Sequence, residues 1–150
     1  VSPNRNLAAL DNEGRLYFFN QEKKIFENLA ENIKRAQFSE DNKKLLYFSQ
    51  SEIWVYYLED NLIQPFKKAG EKELITRLSQ EIKQAIWYPE TNEHIIFSVG
   101  LFVKITELDG RDIRNTFDFL ETETSQIAFD QKTESLYFVK EEKLYKVSLE

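Results

Sequence analysis

The sequence predicts an all-β protein made of small antiparallel sheets that repeat along the chain. Three observations support this prediction. A strand-and-turn pattern recurs through the 150 residues, apolar and polar residues alternate within the recurring segments, and turn-forming residues separate them. The repeating unit is clearest from Ile33 to Leu58, where a strand, a polar turn, a strand, a short turn and an aromatic strand follow one another.

Four copies of this unit align on one anchor residue each. The anchors are Val1, Phe38, Trp87 and Phe129. Seven positions later a second strand opens, at Ala8, Leu45, His94 and Leu136. A third strand opens fifteen positions after the anchor, at Leu16, Ile53 and Leu144, with Leu101 and Phe102 one residue early in the third copy.

The spacing of the anchors favours a β-propeller. The anchors are 37, 49 and 42 residues apart, and a four-stranded propeller blade takes about 40 to 50 residues. We therefore predict a partial β-propeller of about three and a half four-stranded antiparallel blades. The repeats would span about 1–32, 33–80, 81–123 and 124–150 of one propeller segment.

The innermost strand of each predicted blade has two distinct faces. Phe38, Trp87 and Phe129 share a face with the residue two positions earlier, because side chains alternate along a strand. Those earlier residues are Ala36, Ala85 and Ile127, and the opposite face carries Arg35, Gln84 and Gln126. Such a strand packs small residues near a crowded axis and turns polar residues toward a channel.

The remaining elements follow from turn chemistry. SPNRN, SEDNKK, YPETNE and DQKTE are rich in residues that stabilise turns, and Gly14 and Gly100 suit the tight turns that come next. Aromatic third strands follow, and outermost strands are predicted at KKIFENL, ELITRLS and IRNTFDF. The count is fourteen strands, grouped as three, four, four and three.

Residues Asn61 to Glu73 form the one long insertion. We interpret it as a loop between outer strands, although Leu62, Ile63 and Phe66 could instead form a docking patch. Helical spacing also permits a helix over residues 71–82. We predict a strand there because the other copies have one at the same place.

SPNRNLAAL and FSEDNKKLLYF resemble the segment that joins the innermost and second strands in TolB-like and WD-repeat-like β-propellers. The resemblance covers all four copies. The Gly expected in the turn is Asn4 or a Lys here, Pro is kept at Pro3 and Pro89, and no Trp-Asp or Gly-His pair occurs. The resemblance implies a degenerate propeller, similar to those of bacterial envelope proteins.

Three and a half blades leave two open flanks, whereas complete propellers close a ring. We expect the chain to be part of a longer ring. Alternatively, two copies join flank to flank, because half-covered blade faces recruit partners.

Composition argues against several functions. The net charge is −6 without a basic run, which disfavours nucleic acid as a partner. No apolar run reaches the roughly 20 residues needed to span a membrane. The absence of Cys excludes disulfides and thiolate chemistry but leaves the compartment open, with the cell envelope or another extracytoplasmic location slightly favoured.

No catalytic residue, metal ligand or cofactor is predicted. His94 is the single histidine, and neither a G-x-S-x-G elbow nor a D-x-D-x-D-G calcium loop occurs. We interpret His94 as a surface or strand-end residue. The aromatic series Tyr17, Trp54, Phe102 and Tyr145 is interpreted as packing between blades rather than as a platform for sugars or bases.

Carboxylates gather on loops that the repeat places at one end of the channel. The candidate binding residues are Glu13, Glu31, Glu52, Glu81 and Glu123. An acidic rim of this kind would attract a cationic peptide or a basic protein surface, although an ordinary solvated loop face is the favoured interpretation.

The expected function is a non-catalytic scaffold for a protein or peptide. Two alternatives remain open at this point. One is the gating propeller of a larger serine peptidase, whose catalytic domain would lie outside this sequence, and the other is a glycan-binding envelope module.

Overall fold

A computed structural model describes residues 6–89 and 91–148. This part of the chain contains fourteen β-strands and no helix. The predicted anchor Val1 and the turn residues Pro3 and Asn4 lie outside it. The strands are β1 (Ala8–Leu10), β2 (Leu16–Asn20), β3 (Ile25–Ala30), β4 (Arg35–Phe38), β5 (Lys44–Phe48), β6 (Glu52–Tyr57), β7 (Lys72–Arg77), β8 (Ile82–Trp87), β9 (His94–Val99), β10 (Phe102–Glu107), β11 (Thr116–Glu121), β12 (Ile127–Asp130), β13 (Ser135–Lys140) and β14 (Lys143–Ser148).

The strands form four separate antiparallel sheets, here numbered blade 1 to blade 4 in chain order. Blade 1 has the order β1-β2-β3, blade 2 β4-β5-β6-β7, blade 3 β8-β9-β10-β11 and blade 4 β12-β13-β14. Every neighbour in a sheet is also the neighbour in sequence. The prediction of an all-β chain with strands grouped as three, four, four and three is confirmed.

Blades stack face to face, and the core lies between them in three layers. Each blade has a front face, toward the preceding blade, and a rear face, toward the next one. Between blades 2 and 3, for example, Ile53 and Val55 of one rear face pack with Trp87 and Phe97 of the next front face. Similar layers join blades 1 and 2 and blades 3 and 4. Burying such side chains contributes roughly 1.5 to 3 kcal/mol each.

Second strands open at Ala8 and His94 as predicted, but the predicted equivalence of these two residues with Leu45 and Leu136 is wrong by one residue. Phe38 pairs with Leu45, but Trp87 pairs with Ile95 rather than His94. The turn in the third copy is one residue longer, so His94 occupies the place of Lys44. In the first copy, Ala8 pairs with Phe18 and both pack toward blade 2. Ala8 is therefore equivalent to Leu46, which packs toward blade 3, and not to Leu45. The cause is the turn over residues 11–15, which is one residue longer than the corresponding turn in the second copy.

The same shift changes the third-strand series. The first rear-face residue of that strand is Leu16, Ile53 and Leu144 as predicted, but Val103 in blade 3. Consequently the residue of blade 3 that is equivalent to Tyr17, Trp54 and Tyr145 is Lys104 and not Phe102. Lys104 forms an ion pair with Asp118.

Most of the predicted aromatic core is buried between blades. Tyr47, Phe48 and Phe97 are almost fully buried. Trp54 is half-buried against the layer between blades 1 and 2. Tyr145 stacks on Phe138 at 5.5 Å but stays 42% exposed, because blade 4 has only three strands among the described residues.

The turns after the innermost strands take a left-handed residue where related turns carry Gly. Asn42, Asn92 and Glu134 have φ values of 59°, 51° and 46°. Asn accepts this conformation more readily than other non-glycine residues, so Glu134 is the poorly suited member of the series. Gly14 and Gly100 have positive φ, as predicted.

The insertion over residues 61–73 is a loop that leads into a strand. Asn61 and Lys67 form an isolated bridge, while Leu62, Ile63 and Phe66 are exposed. The choice of strand rather than helix is confirmed, because β7 pairs with β6. β7 occupies the first half of the segment over which a helix was considered.

Candidate functional site

The innermost strands of three successive blades line one cleft. β4, β8 and β12 each lie at the edge of their sheet, and between them is a cleft of about 710 Å³. Its lining includes exposed or half-buried polar and apolar side chains. Among them are Arg35, Gln37, Phe38, Ile86, Phe129 and Lys132.

Side chains that cross between blades hold the wall of this cleft in place. The Gln84 side chain donates to the Ile127 carbonyl at 2.8 Å and accepts from the Ile127 N–H at 3.0 Å. The Trp87 indole N–H donates to the Gln37 carbonyl at 3.0 Å. These bonds occupy backbone groups of edge strands that would otherwise face the cleft unpaired. The backbone at the wall of the cleft is thus held in position by hydrogen bonds to side chains of the neighbouring blade.

Charge in the cleft is balanced. Arg35 and Lys132 are basic, and Glu40 and Asp130 are acidic. A site that binds nucleic acid neutralises phosphates with an excess of Lys and Arg. This cleft has no such excess, and it presents aromatic and aliphatic surface beside amide and charged groups.

The predicted acidic residues do not form one group. Glu13, Glu31 and Glu52 line a second cleft of about 880 Å³ at the boundary of blades 1 and 2. Glu81 and Glu123 are absent from its lining; Glu81 lies immediately before β8 and Glu123 four residues before the start of β12. The acidic rim as a binding site for a basic partner therefore stays a prediction.

Four of these five carboxylates are held in ion pairs. Glu13 pairs with Arg15 at 2.9 Å and Glu52 with Arg77 at 2.6 Å. Glu31 lies within electrostatic range of Arg15. These local pairs offset much of the negative charge on the second cleft.

Two further pairs connect neighbouring blades at equivalent places. Lys34 binds Glu81 at 2.5 Å, and Lys83 binds Glu123 at 2.7 Å. Each Lys lies four residues before an anchor, and each Glu lies six residues before the next anchor. The pairing lowers the pKa of Glu81 and of Glu123, because a hydrogen bond from Lys stabilises the ionised carboxylate. Hydrogen bonds from the Trp54 indole and Arg77 lower the pKa of Glu52 in the same way.

His94 lies at the start of β9, half-buried, as predicted for a strand-end residue. Its ring is 5.9 Å from the Tyr88 ring and its Nδ1 is 3.4 Å from the Thr91 hydroxyl. No set of three or more His, Cys, Asp or Glu side chains in residues 6–89 and 91–148 is arranged to hold a metal ion. The same residues include no helix long and apolar enough to span a membrane.

Sequence reasoning missed the inner-strand cleft as a site. Its signal was present, since Arg35 and Gln84 were assigned to the channel-facing side of the innermost strands. The sequence did not show that three such strands leave an open cleft of about 710 Å³ between them.

Comparison with solved structures identifies the fold as a β-propeller. The structure matches the Swd1 β-propeller domain of Myceliophteria thermophila with a TM-score of 0.65 and 14% identity, over 89% of this chain and 44% of that one. It matches the extracellular domain of a putative one-component system from B. thetaiotaomicron with a TM-score of 0.67 and 13% identity, over 97% and 19% of the two chains. An ancestral GH74 enzyme matches with a TM-score of 0.60 and 13% identity, over 97% and 22%.

These likenesses show the fold alone, at identities of 13 to 14%. The chain spans between 19 and 44% of the length of the structures it matches. No protein-family model matches the sequence, and no curated protein matches it either. The fold is thus a partial all-β propeller, and its function must be argued from its own surfaces.

Proposed function

We propose that this chain is a non-catalytic propeller scaffold that binds a peptide segment of a partner protein in the inner-strand cleft. The observation that supports this function is the cleft itself, about 710 Å³ in volume and built from three blades. Binding pockets for small ligands and short segments are commonly about 300 to 1,000 Å³.

The composition of the cleft favours a peptide. Phe38 and Phe129 offer surface for apolar side chains, while Gln37, Arg35 and Asp130 offer donors and acceptors. The bonds from Gln84 and Trp87 fix the wall before any ligand arrives. A preorganised wall reduces the entropy lost on binding.

The ionisation of the predicted acidic residues argues against a function for them as general acids. A carboxyl that acts as a general acid at neutral pH needs a raised pKa. The pKa values of Glu52, Glu81 and Glu123 are instead lowered by their hydrogen-bond donors. Their chemistry is that of permanently ionised surface groups engaged in ion pairs.

The proposal is tested by selecting peptides from a phage-displayed library on the wild-type protein. Gln37 is an exposed residue of the cleft, so Gln37→Trp should fill part of the cleft without disturbing the core. We expect the selected peptides to lose at least about tenfold in affinity for this variant, or about 1.4 kcal/mol. Gln21→Trp, in an exposed turn outside the cleft, is the matched control and should bind as the wild type does.

Two results would count against the function. One is a library from which no peptide is enriched above a scrambled pool. The other is a set of peptides whose affinity falls equally with Gln37→Trp and Gln21→Trp, because such peptides bind elsewhere.

An extracytoplasmic location, in a propeller of TolB-like kind, belongs to the same proposal. The similar structure from B. thetaiotaomicron is the extracellular domain of its protein. Fractionation of the source cells with an antibody to this chain tests the location. Recovery in the soluble cytoplasmic fraction would refute it.

A further inference from the structure

One repeat position has the same place in all four blades but very different exposure. This position, the first rear-face residue of the third strand, is occupied by Leu16, Ile53, Val103 and Leu144. The first three are 0% exposed, because the next blade covers them, whereas Leu144 is 68% exposed. Leu144 pairs with Val139. The rear face of blade 4 therefore presents apolar side chains at Val139 and Leu144, and nothing is packed on Leu144 among the described residues.

The front face of blade 1 is the counterpart of this surface. Register places Ala9 beside Tyr17, and Phe19 beside Phe26, on the side away from blade 2. None of the four belongs to the three core layers. Phe26 is 49% exposed, and its ring meets the Phe19 ring at 5.1 Å. In blade 2 the residues equivalent to Ala9 and Tyr17 are Tyr47 and Trp54, which pack on blade 1.

The internal interfaces show how these two faces would meet. Phe18, on the rear face of blade 1, contacts Tyr56, on the front face of blade 2, with ring centroids 5.3 Å apart. The residue of blade 4 equivalent to Phe18 is Lys146, which is exposed. The residue of blade 1 equivalent to Tyr56 is Phe19. A Lys over an aromatic ring makes a favourable cation–π contact. Lys146 of one chain and Phe19 of another are therefore complementary, with a cation–π contact in place of the contact between two rings.

We propose that the rear face of blade 4 binds the front face of blade 1 of a second copy of this chain. The same two kinds of face already join blades 1 to 4 within the chain, and residues 6–89 and 91–148 leave one open face of each kind. Because the contact is head to tail, a second identical contact closes the pair into a ring when the rotation between blades allows it. This inference goes beyond the proposed function, since none of the residues named on the two faces lines the inner-strand cleft.

Light scattering coupled to size-exclusion chromatography tests the proposal on the full chain. The expected mass is about twice the chain mass of 17.9 kDa. Leu144→Asp should reduce it to that of one chain, because a carboxylate cannot be buried unpaired in the interface. Ala9→Arg, on the opposite face, should do the same. Both positions are exposed in a single chain. Each variant should therefore keep the β-sheet circular dichroism spectrum of the wild type, and the two variants should have the same urea midpoint as each other.

Two further variants keep the result interpretable. Lys146→Glu changes charge on the rear face without touching Leu144, and should weaken the dimer. Leu62→Asp changes an apolar residue that is 75% exposed in the insertion loop, and should leave the dimer intact.

Mixing the two monomeric variants tests the head-to-tail geometry. The Leu144→Asp chain keeps an intact front face and the Ala9→Arg chain an intact rear face, so together they should form a heterodimer through one good contact. A monomeric wild type at high concentration would overturn the proposal. So would a dimer insensitive to both variants, or one lost with Leu144→Asp but kept with Ala9→Arg, which indicates pairing of two rear faces or another partner surface. The Ala9→Arg monomer should still bind the peptides selected on the wild type, because Ala9 is outside the inner-strand cleft. This measurement distinguishes failure of the dimer proposal from failure of the peptide-binding proposal.

Discussion

Arg114 is the polar residue whose removal should most weaken the contact between blades 2 and 3. It follows β10, yet its guanidinium donates to the carbonyls of Leu74 and Ile75 in β7, at 3.2 and 2.7 Å. It also donates to the Leu108 carbonyl at 3.0 Å and pairs with Glu73 at 2.8 Å. The two paired side chains are only 16% and 14% exposed.

The structure sets the size of the expected effect. Removing one partner of a buried ion pair typically costs about 3 to 5 kcal/mol when the other charge is left uncompensated. Without Arg114, Glu73 still pairs with Lys67 at 3.2 Å and accepts a hydrogen bond from the Tyr57 hydroxyl at 3.0 Å, but three backbone carbonyl groups lose their donor. We therefore expect Arg114→Ala to lower the free energy of unfolding by about 2 to 3 kcal/mol. Arg114→Lys should recover part of it, since one ammonium cannot span all four acceptors.

Arg111 provides a control from the same loop. It pairs with Asp109 at the surface, with side chains 53% and 36% exposed, and exposed pairs contribute about 0 to 1 kcal/mol. Urea unfolding of wild type, Arg114→Ala and Arg111→Ala measures both effects on one scale. Equal losses for the two variants, or a loss below about 1 kcal/mol for Arg114→Ala, would refute the assignment of Arg114 as a link between blades.

Three further predictions concern turns and ionisation. Glu134→Gly should raise the unfolding free energy by about 1 kcal/mol by relieving a left-handed Glu, with Asn42→Gly as a near-neutral control; thermal unfolding distinguishes them, and equal shifts would argue against strain. Glu141 and Glu142 are the two residues of the β13–β14 hairpin loop, with φ values of 49° and 62°, so the double change to Asn-Gly should stabilise by about 1 to 2 kcal/mol; an unchanged urea midpoint would contradict this. Burial raises the pKa of Tyr47 to about 12 from 10.0, so the unfolded chain ionises first and stability falls as pH rises through that interval; Tyr47→Phe should make the fall shallower, and an identical pH profile would show that the phenol ionises normally.

The architecture could be predicted well because the strands and their grouping depend on short-range sequence patterns. Alternation, turn residues and the blade-length period fixed the strands and their grouping, and the choice of a strand near Leu74 rested on the repeat alone. Register failed by one residue at His94 because the length of a polar turn is poorly constrained by its composition. The strand pairing of Trp87 with Ile95 could be found only from the three-dimensional sheet.

The candidate site was predicted less well, for a physical reason. Four of the five acidic residues lie in loops as predicted, whereas Glu52 is the first residue of β6. The partners of Glu81 and Glu123 come from a neighbouring blade. Lys34 is 47 residues from Glu81 in sequence, and nothing local indicates that they meet. The inner-strand cleft depends in the same way on the spacing of three sheets, which side-chain patterns do not encode.

Each blade is stabilised by the face of the next blade, and one pair of substitutions at equivalent positions in blades 2 and 4 tests this. Ile53→Ala and Leu144→Ala each remove three carbon atoms from the same repeat position, which is 0% exposed in one blade and 68% exposed in the other. Their urea unfolding should be measured in an Ala9→Arg background, where the chain is expected to be monomeric. We expect Ile53→Ala to cost about 2 to 5 kcal/mol and Leu144→Ala less than about 1 kcal/mol. Equal costs would contradict the stacking of blades on which the whole account depends.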